Sequence, residues 1–152
     1  MYRTRKTEKR YALQRKQAKA AGIRCDFCEF TSTHPQVKEE FSHFWVARNN
    51  FPYSVWDGCD VADHVMIVPK RHIEGVHVFT AAERQEFINI IAAYEVRGYS
   101  FYARPPKSTQ KSVAHQHTHL IKNYGVPKKV QLSVEKPYIM IAKQKKSGEL
   151  RG

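Results

Sequence analysis

The segment that decides the fold is Ser112-Val-Ala-His-Gln-His-Thr-His-Leu-Ile121, in which histidines occupy every second position from 115 to 119. Its composition predicts an extended strand, which turns alternate side chains to the same face. His115, His117 and His119 would then stand about 7 Å apart in a row. Because an imidazole has a pKa of about 6.5, it serves near neutral pH as a nucleophile or a proton donor. Such a row is typical of sites for nucleotidyl or phosphoryl transfer, of metal sites, or of a polar strand face that has no function.

Other strands are predicted on both sides of this segment. The short apolar runs HFWVAR (43–48) and HVMIVP (64–69) are rich in β-branched and aromatic residues and are separated by a turn-rich loop over 49–63. Further strands are predicted at 100–103 and 137–143, and loops at 105–111 and 123–129.

One helix is predicted between the two groups of strands. Thr80-Ala-Ala-Glu83 forms a capping box, apolar residues follow at helical spacing as far as Tyr94, and Gly98 ends the segment. The order of elements therefore predicts an α+β fold, in which an antiparallel β-sheet meander has one main helix packed across it.

The positive charge of the chain lies at its ends. The net charge is +12 over 152 residues. Residues 1–24 carry nine Lys and Arg against one Glu, residues 122–152 carry eight against two, and residues 25–121 carry nine against eleven acidic residues. The near-neutral middle indicates that the central fold is not built around a groove for a polyanion. The basic ends either bind nucleic acid or an anionic substrate, or are solvated tails.

The length and this distribution predict one globular domain with extensions. We assign residues 1–24 to a basic N-terminal extension that is helical over 5–20, residues 25–145 to the domain, and residues 146–152 to a basic C-terminal tail. No stretch is apolar for long enough to span a membrane, and no signal-peptide core follows the basic N-terminus. We expect a cytoplasmic protein without a membrane partner.

Three cysteines do not predict a disulfide framework. Cys25 and Cys28 form a C-x-x-C pair, which is either half of a zinc site that needs two more ligands or a pair of thiols packed under the sheet. Cys59 is not part of a motif, and we expect its thiol to be buried or to have no functional role.

Three motifs in order resemble those of the histidine triad (HIT) family. His115-Gln-His-Thr-His-Leu-Ile121 matches H-x-H-x-H followed by two apolar residues. HVMIVPKRHI (64–73) resembles the family's G-H-x-x-[IV]-x-P-x-x-H segment, and Asn49-Asn-Phe-Pro-Tyr53 resembles N-x-x-P-Y of the diadenosine-polyphosphate-handling branch. The resemblance covers about residues 25–121. It points to the zinc-bearing branch near the diadenosine polyphosphate hydrolases and phosphorylases.

The resemblance implies an enzyme, a nucleotide hydrolase or nucleotidyltransferase acting at an α-phosphate. His117 would attack phosphorus and be nucleotidylated, with its other ring nitrogen held by the carbonyl of His115, while His119 donates to the phosphate or leaving-group oxygen. The triad strand would lie near the centre of the sheet. The resemblance also implies a catalytic role for His64 and for Ser112 near the leaving group, and a ribose contact for Asn49.

The resemblance also completes the metal site. In zinc-bearing relatives the remaining ligands correspond to His72 and His115, so Cys25, Cys28, His72 and His115 would hold a closed structural zinc ion with no position for an activated water. The other histidines, His34, His43 and His77, are not expected to be ligands. A homodimer is also implied.

The segment ahead of the triad departs from the family pattern. It is usually rich in glycine, whereas residues 105–111 here offer side-chain cations, including Lys111 as a substrate-binding residue, which would favour a more anionic substrate. The expected substrate is a dinucleoside polyphosphate, a nucleoside phosphoramidate or a related conjugate. The alternatives are an aprataxin-like deadenylase of adenylated nucleic-acid ends and a zinc-stabilised nucleic-acid-binding module. Removal of residues 1–20 is expected to leave turnover of small nucleotides nearly unchanged.

Overall fold

In a computed structural model, which describes residues 3–22, 25–127, 130–135 and 138–143, one α-helix precedes the strands and a second lies between two groups of four strands. The described α-helices are α1 (Arg5–Ala20) and α2 (Ala81–Val96), and 3₁₀ helices cover Asp26–Glu29 and Val76–Val78. The described strands are β1 (Val37–Glu40), β2 (Phe44–Arg48), β3 (Val55–Trp56), β4 (Cys59–Pro69), β5 (Tyr99–Ala103), β6 (Thr118–Pro127), β7 (Val130–Glu135) and β8 (Tyr138–Lys143). The predicted α+β class is confirmed.

The main sheet has six strands, all antiparallel to their neighbours. Its order is β1-β2-β4-β6-β5, and β3 pairs with the start of β4. Strands β7 and β8 form a separate two-stranded sheet. The chain leaves β4, passes through α2 and returns at the edge as β5, so that β6 fits between β4 and β5. The triad segment therefore continues into an interior strand.

Alternation along β4 separates the two faces of the sheet. Val65 and Ile67 belong to a buried cluster that includes Ile90 and Tyr94 of α2. Met66 points to the opposite face and joins a second cluster beneath the 3₁₀ helix at Asp26–Glu29. Because successive strand residues alternate, His64 and its neighbours in the functional site share the Met66 face, away from α2.

The predicted capping box starts α2. The Thr80 hydroxyl accepts a hydrogen bond from the Glu83 amide at 3.2 Å, and the Glu83 carboxylate accepts one from the Thr80 amide at 2.7 Å. Arg71 donates to both oxygens of the same carboxylate, at 3.1 and 2.9 Å. The helix ends before Gly98, whose φ of 84° lies in the left-handed region that glycine tolerates. Glu83 thus ties the start of α2 to the turn after β4.

Some predicted loops are strands in the structure. Part of the loop predicted over 49–63 is strand β3 and the first residues of β4, and residues 123–127 of the loop predicted over 123–129 belong to β6. These two stretches pair with each other, Cys59 opposite Pro127 and Val61 opposite Asn123. β1 and β7 were not predicted either. The predicted loop positions 128–129 and the predicted tail 146–152 lie outside the described residues.

The predicted N-terminal helix is confirmed as α1. Among the residues that the structure describes, none of the helices has the length and apolar character needed to cross a membrane.

Candidate functional site

The three triad histidines do not share one strand face. Strand β6 begins only at Thr118, because the chain bends before it and the Gln116 amide donates to the carbonyl of Ile73 at 2.6 Å. The His115 ring packs against His72, with ring centroids 4.7 Å apart, whereas His117 and His119 face a cavity. The prediction of a single row is therefore wrong for His115.

His117 is held as one tautomer by the backbone. Its Nδ1 lies 2.9 Å from the carbonyl oxygen of His115, and a carbonyl only accepts hydrogen bonds, so Nδ1 carries the proton and donates. A neutral ring then has a lone pair on Nε2. The ring is packed edge-on against Phe27 and His119, at centroid distances of 5.3 and 5.1 Å. The lone pair on Nε2 of His117 therefore has a fixed orientation.

The tautomer of His119 is fixed through His64. The Tyr53 amide donates to His64 Nδ1 at 3.1 Å, so the proton of a neutral His64 ring is on Nε2. His64 Nε2 lies 2.9 Å from His119 Nδ1 and donates to it. The remaining nitrogen of His119, Nε2, must then carry a proton. His119 is thus set up as a hydrogen-bond donor beside the nucleophile.

The site keeps its histidines neutral. Burial, together with the nearby positive charge of Arg3, lowers the pKa of His64 to about 3, against the opposing effect of Asp63. Burial also lowers the pKa of His117 and brings that of His119 well below its ordinary value. Near neutral pH, His117 therefore keeps the lone pair that nucleophilic attack requires.

A cavity of about 660 Å³ opens over His117 and His119, a size typical of small-molecule sites. Asn49, Lys111 and Ser112 of the predicted site also line it. Its other lining residues are Arg3, Glu8, Tyr11, Gln14, Arg15, Asp26, Phe27, Gln36, Asn50, Phe51, Tyr53, Met66, Arg104, Thr109, Gln110 and Val113.

Asn49 and Lys111, which are predicted to contact the substrate, are held by different hydrogen bonds. The Asn49 oxygen accepts from the Phe51 amide at 2.9 Å. The amide nitrogen of Asn49 lies 3.1 Å from His64 Nε2, but both atoms carry hydrogen in this arrangement, so this contact is not a hydrogen bond. Lys111 donates to the carbonyl of Glu74 at 2.6 Å and to the Gln116 amide oxygen at 3.3 Å. Burial lowers the pKa of Lys111. His64 itself does not line the cavity and reaches it through His119.

The four predicted metal ligands come together beside the triad. One ligand atom each from Cys25, Cys28, His72 and His115 lies within 4.8 Å of the others, close enough to coordinate one metal ion. Two thiols and two imidazoles are the donor set of structural zinc sites. His115 donates from Nε2 to the Pro69 carbonyl at 2.9 Å, which leaves its Nδ1 free toward the Cys25 sulfur at 3.3 Å. Such an outer hydrogen bond is typical of metal-bound histidines.

His115 connects this cluster to the nucleophile. Its ring belongs to the group of potential ligands, and its carbonyl oxygen accepts the hydrogen bond from His117 Nδ1. His34, His43 and His77 lie outside the group, as predicted. His43, for example, packs beside the Glu86 carboxylate at 3.2 Å.

The N-terminal segment was not predicted to reach the cavity. Arg3, Tyr11 and Arg15 nevertheless line it, together with Arg104 from the end of β5. No motif contains these residues, and only their charge and aromatic character could have drawn attention to them. The C-x-x-C motif assigns no role to Phe27, which lies between its two cysteines, yet the Phe27 ring contacts both His115 and His117.

No family model matches the sequence, and no curated protein matches it significantly. Solved structures do match. A HIT family hydrolase from Clostridium thermocellum is 25% identical over 70% of this chain and 96% of its own, with a TM-score of 0.49. A histidine triad nucleotide-binding protein from Candida albicans is 19% identical over 73% of this chain and 84% of its own, with a TM-score of 0.48.

A member of the HIT family of proteins from Bacillus subtilis is 24% identical over 66% of this chain and 74% of its own, with a TM-score of 0.50. This likeness is one of fold, and it agrees with the α+β architecture and the six-stranded antiparallel sheet described above. The chain therefore has the fold of the histidine triad family.

Proposed function

We propose that this protein is a HIT-type enzyme that transfers a nucleotidyl group to water or phosphate through a covalent intermediate on His117. The observation that carries the proposal is the hydrogen bond from His117 Nδ1 to the His115 carbonyl, which leaves Nε2 as a lone-pair donor in a cavity of nucleotide size. The HIT-family neighbours support a nucleotide hydrolase or transferase.

The first step forms one bond and breaks another. Nε2 of His117 attacks the α-phosphorus, an N–P bond forms, and the bond from phosphorus to the leaving group breaks with its electron pair going to the leaving group. The imidazole becomes cationic as it attacks, and the His115 carbonyl that faces Nδ1 stabilises that charge.

His119 acts as a hydrogen-bond donor during this step. Its Nε2–H would contact a phosphate or leaving-group oxygen, on which negative charge grows. The second step reverses the first: an oxygen of water or phosphate attacks phosphorus, the N–P bond breaks with its electron pair returning to His117 Nε2, and an attacking water gives its proton to solvent in the open cavity. Ser112, which lines the cavity, and Asn49 complete the proposed contacts with leaving group and ribose.

We assign a structural zinc ion to Cys25, Cys28, His72 and His115, whose donor atoms and hydrogen bonds fit it. A zinc ion bound there would supply folding energy, and four protein ligands would leave no position for water. The chain's own contribution is the seating of His115, and through its carbonyl the orientation of His117.

A second candidate, the aprataxin-like deadenylase, is favoured by one observation. Helix α1 carries exposed basic residues besides the cavity-lining Arg15, among them Arg5 and Lys9. An adenylated nucleic-acid end could then be held along the helix by its phosphates. A homodimer and a cytoplasmic location stay predictions.

The covalent intermediate is the direct test. Wild-type protein quenched during turnover should yield an acid-labile phosphoramidate of the nucleotide on the peptide that contains His117. His117→Ala should lose turnover by at least about a hundredfold and still bind nucleotide, because the interaction it removes forms only on the reaction path. His77→Ala, on an exposed histidine, is the matched control.

A mechanism by direct water attack would give a different result. Rapid quench would then show no adduct, and a substrate with a chiral phosphorus would react in oxygen-18 water with inversion. A nucleic-acid-binding module without activity would show neither adduct nor turnover.

A further inference from the structure

The N-terminal segment forms one wall of the cavity. Arg3, just ahead of α1, donates from Nε to the Phe51 carbonyl at 2.8 Å, and its guanidinium lies 5.0 Å from the ring centroids of both Tyr11 and Tyr53. Its side chain is only 18% exposed. Its Nη1 also lies 3.5 Å from the Glu8 carboxylate, and together these contacts give the guanidinium a fixed orientation.

The helix that follows is attached at two further points around the same cavity. The Tyr11 ring packs against Phe51 with a centroid distance of 5.0 Å, and Gln14 donates to the Asp26 carboxylate at 3.3 Å. Leu13, by contrast, is 56% exposed. α1 therefore does not dock to bury its leucine. Its contacts are aromatic and polar, and they lie at the site.

The cavity carries more positive charge than is needed to balance the single negative charge at the phosphorus that His117 attacks. Its lining has four cationic side chains, Arg3, Arg15, Arg104 and Lys111, against two carboxylates, Glu8 and Asp26. Lys111 donates to two neutral oxygens. A nucleotidyl group linked through one phosphodiester-like phosphorus has a single negative charge. The surplus of cations matches a substrate with at least one further phosphate, which a guanidinium binds through paired N–H donors.

We propose that Arg3 and Arg15 form a phosphate-binding surface on the side of the cavity lined by the N-terminal segment. The site would then select nucleotide conjugates that bear a phosphate beyond the one that His117 attacks. This inference rests on the proposed function and names its substrate class. The further phosphate belongs to a polyphosphate chain or to a nucleic-acid strand. Removal of α1 would then impair turnover of small phosphate-bearing nucleotides, contrary to the expectation from the sequence.

Three substrates with the same adenylyl group separate these sources. The first is an adenosine phosphoramidate with a neutral amine as leaving group, the second is diadenosine tetraphosphate, and the third is a 5′-adenylated oligonucleotide. The quantity measured is kcat/KM for each substrate, for the full chain and its variants. One charge-assisted contact to phosphate corresponds to about a tenfold effect.

Arg15→Gln is the main variant, because Arg15 is exposed and is not one of the contacts that anchor α1. Lys16→Gln is the matched control, since it removes one positive charge from the next residue of the same helix, which does not line the cavity. Arg3→Lys, which keeps the charge and loses the paired donors, tests the guanidinium. Thermal melting verifies that each variant is folded.

We expect Arg15→Gln and Arg3→Lys to lower kcat/KM for one or both phosphate-bearing substrates about tenfold more than for the phosphoramidate. A loss confined to diadenosine tetraphosphate identifies a polyphosphate, and a loss confined to the oligonucleotide identifies a nucleic-acid strand. An equal change on all three substrates, or no change, overturns the inference while the covalent intermediate on His117 still forms. Wild-type protein that reacts with none of the three instead overturns the proposed function, and the inference with it.

Discussion

His64 determines which nitrogen of His119 carries the proton, although His64 itself does not line the cavity. It stands on β4, outside the cavity lining, and is 3% exposed. One of its nitrogens accepts from the Tyr53 amide, so the other must donate to His119. The sequence motif indicates that a histidine belongs here, but a motif does not show which nitrogen carries the proton, because that depends on a peptide group eleven residues away.

Replacing His64 should impair catalysis more than binding. His64→Phe keeps a ring of similar size and loses the donor to His119 Nδ1, so His119 is free to turn or to change tautomer. We expect kcat to fall by about ten- to a hundredfold, as for other residues that orient a functional histidine, with KM changing much less. Nitrogen-15 NMR of wild-type protein should show His119 protonated on Nε2.

His34→Phe, outside the cavity, is the control for this substitution. An unchanged kcat in His64→Phe, or a wild-type His119 protonated on Nδ1, would contradict the assignment of donors.

The first turn of helix α2 is held in place by the hydrogen bonds of Glu83. Glu83 is 3% exposed and accepts hydrogen bonds from the Thr80 amide and twice from Arg71. These contacts lower the pKa of Glu83 to about 2, with the Arg71 hydrogen bond as the largest cause. Arg71 directly precedes His72, so the start of α2 and the potential metal ligands share one turn.

The stabilisation from Glu83 should depend on pH in a defined direction. The pKa is lowered on folding, so the carboxylate stabilises the fold above its ordinary value of 4.5, and this contribution is lost as the pH falls toward 2. At pH 7, Glu83→Gln should lower the free energy of unfolding by about 2 kcal/mol. The difference from wild type, measured by urea unfolding, should shrink between pH 4.5 and 2.

Glu95→Gln, on an exposed face of the same helix, should show neither the loss nor the pH dependence. A difference between wild type and Glu83→Gln that stays constant over this pH range would rule out the ion pair as its source.

Elements with local signals were predictable, and those that depend on distant pairing were not. The capping box and helical periodicity identified α2, and the apolar run identified the second half of β4. The first half of β4 contains two aspartates and alternates between half-buried and exposed residues, and its partner in β6 contains Gly125 at a φ of 75°. Each stretch becomes a strand only because the other pairs with it.

At the scale of the whole molecule, the potential metal site and the proposed catalytic site share the residue His115. Cys25 and Cys28 precede the sheet, His72 follows β4, and His115 precedes β6, so the cluster joins three segments that are far apart in sequence. The resemblance predicted these four residues and also the contact between the His115 carbonyl and His117, but not the bend in the backbone that lets His115 serve both sites. The contribution of α1 to the cavity depends on docking that no motif describes.

Loss of the metal should therefore destabilise the fold and reduce activity together. Chelation of the purified protein, or Cys25→Ser, should lower Tm by more than about 5 °C, because metal binding of this kind is coupled to folding. The purified protein should contain one zinc per chain by elemental analysis. Activity should fall in parallel, as the carbonyl that orients His117 belongs to a ligand.

Cys59→Ser removes a thiol outside the cluster and should leave zinc content and Tm unchanged. A zinc-free protein with the same Tm as the wild type would contradict a structural role for the metal.

The hydrogen bonds that run from Tyr53 through His64 to His119 have one direction, and that direction limits where protons can travel. A proton wire works only if each link exchanges its donor and acceptor in turn. The first donor here is a peptide N–H, which is too weak an acid to pass its proton to His64 during turnover. The chain therefore orients His119 without supplying protons from the interior, and a proton that reaches the leaving group must come from water or substrate in the open cavity.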